Sequence, residues 1–151
     1  MAVDFRELEK FRDKLGNLAK EIPELEKSCA NELGARLIRS VKQKTPVGIY
    51  PSESGKAGGT LRRNWQIQGT RALTGRYEID ITNNTEYASY VEYGHRQDVG
   101  RYVPAIGKRL KNPWVEGRHM LRDSETELKA KAQTITDKRV EKWVEAKLNG
   151  K

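Results

Sequence analysis

Apolar side chains at Phe5, Leu8, Phe11, Leu15, Leu18 and Ile22 recur every three or four residues, and the spacing resumes at Leu25, Cys29, Leu33, Leu37 and Val41. That period puts each set on one face of a helix, so the N-terminal region is committed to helix before any other element is considered. Asp4 fits an N-cap, and Glu7, three residues on, fits the reciprocal acceptor of a capping box. Pro23 has no amide donor and disfavours the helical conformation of Ile22, so two helices are expected, the first ending at Ile22 and the second running from Pro23 or Glu24 to about Lys44. Thr45-Pro46 stops the second. Glu and Lys crowd the polar faces at helical spacing, the pattern of a solvated surface.

Beyond the helices, residues 47–59 hold Gly48, Pro51, Gly55, Gly58 and Gly59 among serines, a composition for an exposed loop rather than a core element. Alternation with period two then marks Leu61 to Ile67 and, after Gly69, Tyr77 to Ile81 as half-buried antiparallel strands. Leu61, Trp65, Ile67, Tyr77, Ile79 and Ile81 would face inward, with Arg62 and Asp80 outward. Asn83-Asn84 marks a turn, and Glu86 to Tyr93 fits neither period cleanly. From about Gly117 to Leu148 the pattern is helical again, with a thin stripe of Leu121, Leu128, Ala132, Ile135, Val140 and Trp143 suited to packing on the sheet or on a neighbouring subunit. This order predicts an α+β fold, N-terminal helices and a long C-terminal helix packed on a small antiparallel β-sheet. It is read as one domain, 1–151, helical over 4–44, a loop over 47–59, a sheet region over 60–114 and a helix over 117–148.

The apolar fraction is 36% and the charged fraction 33%, leaner than a typical globular chain, so part of the sequence is expected to rely on contacts outside its own core. Acidic and basic residues from Asp4 onward, without an apolar run, lead us to expect no secretory signal, and no stretch approaches the ~20 apolar residues of a membrane span. The expectation is a soluble protein of the cytoplasm with no membrane partner. The net charge of +8 is uneven, since residues 94–122 hold seven basic side chains against two acidic ones. A basic segment of this kind attracts phosphate or an acidic protein surface.

Catalytic chemistry finds little support. His95 and His119 lie in no metal-binding motif, and the single Cys29 supplies neither a disulfide nor a ligand set, so no metal and no cofactor are expected. Cys29, inside a helix, reads as a small buried hydrophobe. Glu92 and Glu116 could form an acid-base pair only in a pocket that separates their pKa values, and ion pairs with Arg96 or Arg118 fit the sequence better. Gly55-Lys56 precedes the Gly58-Gly59 pair, the wrong order for a phosphate loop. Arg62-Arg63 beside Trp65 would suit stacking on nucleic acid, although a strand position favours burial of the tryptophan.

Four segments taken in order are more specific than any one of them: Lys44-Thr45-Pro46-Val47; Gly59-Thr60-Leu61-Arg62-Arg63-Asn64-Trp65; Tyr87-Ala88-Ser89-Tyr90-Val91-Glu92-Tyr93-Gly94-His95-Arg96; and Trp114-Val115-Glu116-Gly117-Arg118-His119-Met120-Leu121. Together they resemble the neck or tail-completion family of tailed bacteriophages, also known as minor head-tail joining proteins. The resemblance spans roughly residues 5 to 145. One departure is the interval from Gly48 to Gly58, longer and richer in glycine than the family's usual passage from T-P-V to the L-R-x-S-W strand.

The resemblance implies a structural virion protein rather than an enzyme, assembled in the host bacterial cytoplasm and placed at the head-tail junction. There it would form a ring, a hexamer or dodecamer, around the DNA channel. Its partners would be other connector proteins, the tail terminator or tail tube, and DNA passing nonspecifically through the lumen. Rings need two complementary patches on each subunit. Aromatic, Met and Arg side chains favoured at interface cores make Tyr90, Glu92, Tyr93, His95, Arg96, Trp114, Glu116, Arg118 and Met120 the candidate subunit or ring interface. Arg101, Lys108, Arg109 and Lys111 are the candidate contacts to the DNA channel or an acidic partner. Intrachain packing is the competing outcome for each aromatic. The alternative function is a nucleic-acid-binding module using the basic 94–122 segment, and an enzyme with His95 and Glu92 as its acid-base pair comes third.

Overall fold

A computed structural model describes residues 6–50, 52–55, 57–104 and 107–149. The proposed cap Asp4, the first stripe residue Phe5, and the loop residues Pro51 and Lys56 lie outside the described residues.

The N-terminal region is one helix, α1 (Arg6–Lys44), with Pro23 inside it, rather than the two helices expected. The apolar stripe stays in phase across the proline, Ile22 to Leu25 to Cys29, so an uninterrupted helix keeps every stripe residue on one face. That gain offsets the lost hydrogen bond, a cost of about 3 kcal/mol in a helix interior. The helix stops where expected: both the amide and the hydroxyl of Thr45 donate to the carbonyl of Val41, at 2.9 and 2.7 Å.

After the 47–59 loop, which includes a short 3-10 turn at Ser52–Ser54, the expected strand at Leu61 begins instead as a helical turn, α2 (Thr60–Arg63). Gly59 enters it with φ +90°, and Arg63 and Asn64 close it with amide bonds to the carbonyls of Gly59 and Thr60, at 2.9 and 3.1 Å. Strand β1 (Trp65–Leu73) runs on through Gly69, with a bulge between Ile67 and Gly69, and pairs antiparallel with β2 (Arg76–Asn83). The bulge explains why alternation failed near Gly69: an extra residue re-aims the side chains that follow it. Leu61 and Trp65 are buried as expected, whereas Ile67 is partly exposed over α1. The Asn83-Asn84 turn is held by Asn83 Oδ1 accepting the Thr85 amide (3.1 Å).

The ambiguous 86–93 segment contains a short helix, α3 (Ala88–Tyr93). Four short strands follow, β3 (Gly94–Arg96), β4 (Tyr102–Val103), β5 (Lys108–Arg109) and β6 (Trp114–Glu116), before the long helix α4 (Met120–Asn149). The fold is α+β, and its β structure is three separate antiparallel ladders, β1-β2, β3-β6 and β4-β5. No described helix is long and apolar enough to cross a membrane.

The core is small. Val41, Leu61, Trp65 and Met120 are buried together, with Leu37, Ile38, Ile81, Ala88, Val91 and Leu121 packed around them. Thr45 is buried at its edge and accepts a hydrogen bond from Trp65 Nε1 (2.9 Å), while Arg62 donates to the Thr45 carbonyl at 3.1 and 2.7 Å.

Helix α4 lies antiparallel along α1, the pairing running from Lys44–Glu127 to Lys147–Glu21, both at 2.5 Å. Glu32 takes hydrogen bonds from Arg36 and Arg139, which hold its carboxyl below the usual range, and Arg139 also reaches Ser28 Oγ. Such exposed pairs are individually weak. They fix register more than stability. The hairpin β1-β2 covers only part of this helix pair, and Leu8, Phe11, Leu15, Ile22, Val140, Val144 and Leu148 remain exposed. The chain exposes 11957 Å², against about 7,800 Å² for a compact monomer of its 17.3 kDa mass.

Candidate functional site

The two motifs around Tyr93 and Trp114 form a clasp. β3 pairs with β6 in the register Gly94 to Glu116, His95 to Val115 and Arg96 to Trp114. The Arg118 and His119 amides donate to the carbonyls of Val91 and Glu92, at 2.7 and 3.1 Å. Backbone meets backbone so closely that a Cβ on Gly94 would lie 2.4 Å from the Val115 oxygen, and one on Gly117 2.3 Å from the Glu92 oxygen. Gly94 also has φ +86°.

Glu92 does not join the surface. It is 4% exposed, and its carboxylate accepts the Leu121 amide at 3.2 and 3.1 Å and the Arg122 amide at 3.1 Å, closing the first turn of α4. A negative group at a helix N-terminus satisfies orphan amides and meets the positive end of the dipole. His119 turns the chain into that helix with φ +48°, a left-handed conformation uncommon outside glycine. The ion pair expected between Glu92 and Arg96 or Arg118 is therefore replaced by backbone amides, and the carboxylate is committed to the fold.

Replacing Glu92 with alanine is expected to destabilise the chain by about 2 kcal/mol, from a lost cap and unsatisfied buried donors. Glu92→Gln, which keeps an acceptor without the charge, should lose roughly half as much. Urea unfolding would record both as shifted midpoints at constant slope. An unchanged midpoint for the alanine variant would mean that the carboxylate does not hold α4.

Of the nine candidate interface residues, Glu92 and Met120 are thus removed: Met120 is fully buried in the core. Their motifs look polar and aromatic, the pattern of a surface, whereas the fold turns these two side chains inward. His95 is half-buried, its ring 5.7 Å from that of Tyr90 and tilted by 60°. Nδ1 of His95 and of His119 is enclosed without a hydrogen-bond partner. The other six, Tyr90, Tyr93, Arg96, Trp114, Glu116 and Arg118, are exposed, Tyr93 to 66%. Tyr87 joins them as an exposed aromatic that motif reasoning passed over.

Between the halves of the clasp, the basic segment is a ribbon. Tyr102 faces Arg109 and Val103 faces Lys108 across β4-β5, and amide bonds between Gly100, Arg101 and Leu110 close its base. Arg101, Lys108, Arg109 and Lys111 are all exposed on it, with Arg109 also donating to the Gly100 carbonyl (2.7 Å). Elsewhere the 47–59 loop presents Ile49 almost fully to solvent, with Tyr50 beside it.

Cys29 is half-buried on the wall of a groove between α1, the β1-β2 tip and α4, and burial pushes its thiol up. Among the described residues no three His, Cys, Asp or Glu side chains gather into a group that could hold a metal ion. What the surface offers is aromatic anchors, a basic ribbon and apolar helix faces, the equipment of a protein that assembles with others.

The comparisons agree with that class. The family model for "Bacteriophage HK97-gp10, putative tail-component" matches residues 9–94, more than half the chain, and the chain belongs to this HK97-gp10-like family. Membership makes it a phage structural protein that works alongside other phage structural proteins. The match takes in the first three motifs as far as Gly94, while the Trp114–Leu121 motif lies beyond it. No curated protein and no solved structure matches the chain.

Proposed function

We propose that this protein is a non-enzymatic component of the phage head-tail connector, in which copies form a ring joining the portal side of the capsid to the tail around the DNA channel. The observation that carries the reading is the surface excess, 11957 Å² where a compact monomer would expose about 7,800 Å². A subunit whose apolar faces are completed by neighbours accounts for it, and family membership supplies the phage context. In this reading Tyr90, Tyr93 and Trp114 anchor one contact, with Arg96, Glu116 and Arg118 around them as its polar rim. The ribbon carrying Arg101, Lys108, Arg109 and Lys111 faces the DNA or an acidic neighbouring ring. Ile49 and Tyr50 reach an adjacent layer. The engagement of Glu92 by α4 supports a role without acid-base catalysis.

Tyr93→Ala is expected to leave the melting temperature within about 2 °C of the parent, as surface substitutions do, and Trp114→Ala, whose indole lies against Gly94, to lower it by about 4 °C. Both should reduce incorporation into assembled particles at least tenfold. Equal losses of melting temperature and incorporation would place these side chains in the core and remove them from the contact.

A second reading, a nucleic-acid-binding module, draws on the ribbon, where exposed Tyr102 sits among the basic side chains. It requires tight, salt-sensitive binding to free DNA. The connector reading expects weak, nonspecific binding that Lys108→Glu with Arg109→Glu abolishes.

A further inference from the structure

Helix α1 carries both a ridge and a groove that it cannot bring together within one chain. The ridge is Leu8, Phe11 and Leu15, exposed to 69%, 55% and 47%, and flanked by Glu9 and Arg12. Their spacing of three and four residues is that of the anchors by which an amphipathic helix binds a groove. The groove, of about 720 Å³, lies farther along the same helix, where Leu25 and Cys29 of α1 meet Leu73 and Tyr77 of the β1-β2 hairpin and Val140 and Trp143 of α4. Glu26 and Arg76 stand on its lining. Phe11 and Leu25 are separated along an unbroken helix by roughly 21 Å at 1.5 Å per residue, so the ridge cannot fold back into its own groove.

The two surfaces are complementary. Both are apolar, and their linings carry opposite charges, so Glu9 can meet Arg76 and Arg12 can meet Glu26 in exchange for the exposed pairs these arginines make within one chain, Arg12 with Asp13 and Arg76 with Glu78, each at 3.0 Å. We infer that the Leu8-Phe11-Leu15 ridge of one copy docks head-to-tail in the Leu25-Leu73-Trp143 groove of the next copy. This inference rests on the ring reading for its head-to-tail sense, because a cyclic ring uses heterologous contacts. It adds a second contact, remote from the clasp, and gives the unpartnered end of the helix pair an occupant: an identical chain.

Single-cysteine variants of the full chain, in a Cys29→Ser background, provide the test. Phe11→Cys and Leu73→Cys proteins, purified separately and then mixed, should give a crosslinked dimer with a short bismaleimide, while neither alone does. Leu18→Cys alone should also give none; a crosslinked Leu18→Cys dimer would reveal a two-fold antiparallel pairing of α1 and overturn the head-to-tail contact. Leu8→Asp with Phe11→Asp should keep the parental melting temperature and lose at least tenfold in self-association. A melting temperature that falls as well would mean that the ridge packs within its own chain. Rings seen by microscopy without the mixed crosslink would sink this contact and leave the ring standing. The mixed crosslink without rings would do the reverse, and the absence of both would overturn the two together.

Discussion

Trp65→Ala is expected to cost about 4 kcal/mol, in the range of large-to-small changes at buried tryptophans. For a chain of this size that corresponds to a melting temperature lower by roughly 10 °C or more. Trp65 is 5% exposed, packed with Val41, Leu61 and Met120, and its indole Nε1 donates to the Thr45 hydroxyl at 2.9 Å. The substitution therefore opens a cavity at the centre of the small core and takes the donor from a buried hydroxyl. Trp65→Phe separates the two effects, because it keeps most of the ring volume and loses the hydrogen bond, for about 1 kcal/mol plus any packing defect. Thermal unfolding followed by far-UV circular dichroism is the measurement. A shift of under about 3 °C for the alanine variant would show that this residue does not organise the core.

Gly94→Ala and Gly117→Ala are expected to be at least as damaging, through a different mechanism. Each added methyl would lie within 2.4 Å of a backbone oxygen, and neither carbonyl belongs to a flexible side chain that can move aside. At Gly94 the φ of +86° adds conformational strain. Relief requires β3 and β6 to separate, which also pulls the Glu92 carboxylate from the start of α4. We expect a loss of about 4 kcal/mol or more, in the class of large effects produced by backbone conflict. Hydrogen exchange should show the Arg118 and His119 amides losing protection first. Gly16→Ala is the matched control: it sits in α1 with no atom within 4 Å of the added Cβ, and alanine there should stabilise by about 0.5 to 1 kcal/mol. If Gly94→Ala behaves like that control, the clasp as described is wrong.

The sequence was most legible where period and packing agree. The α1 stripe, its stop at Thr45-Pro46, the inward Leu61 and Trp65 and the Asn83 turn could be read from spacing and turn chemistry alone. Pro23 reads locally as a helix break, but the stripe stays in phase on both sides of it and the helix continues through. Leu61 misled because a four-residue helical turn is too short to display a period, and its inward side chain suits a strand equally well. The facing of the side chains after Gly69 is hidden by the bulge between Ile67 and Gly69.

At the candidate site, motif chemistry identified the right segments but not the direction of each side chain. Glu92 binds amides 29 and 30 residues away, a contact that no spacing rule anticipates. Leu8, Phe11 and Leu15 were visible as part of a helical stripe. Which half of that stripe stays uncovered depends on where α4 and the hairpin lie, and that is tertiary information. The exposed aromatics of the clasp and the uncovered end of the helix pair are together what a lean apolar composition foreshadowed: a chain whose surface exceeds what its own fold can close.

Electron microscopy of phage particles carrying a tagged copy of this protein, alongside the purified protein, tests the central claim most directly. The account predicts a closed ring of copies at the head-tail junction with density continuous from subunit to subunit. A protein that stays monomeric at every concentration and is missing from the junction of assembled particles would contradict it.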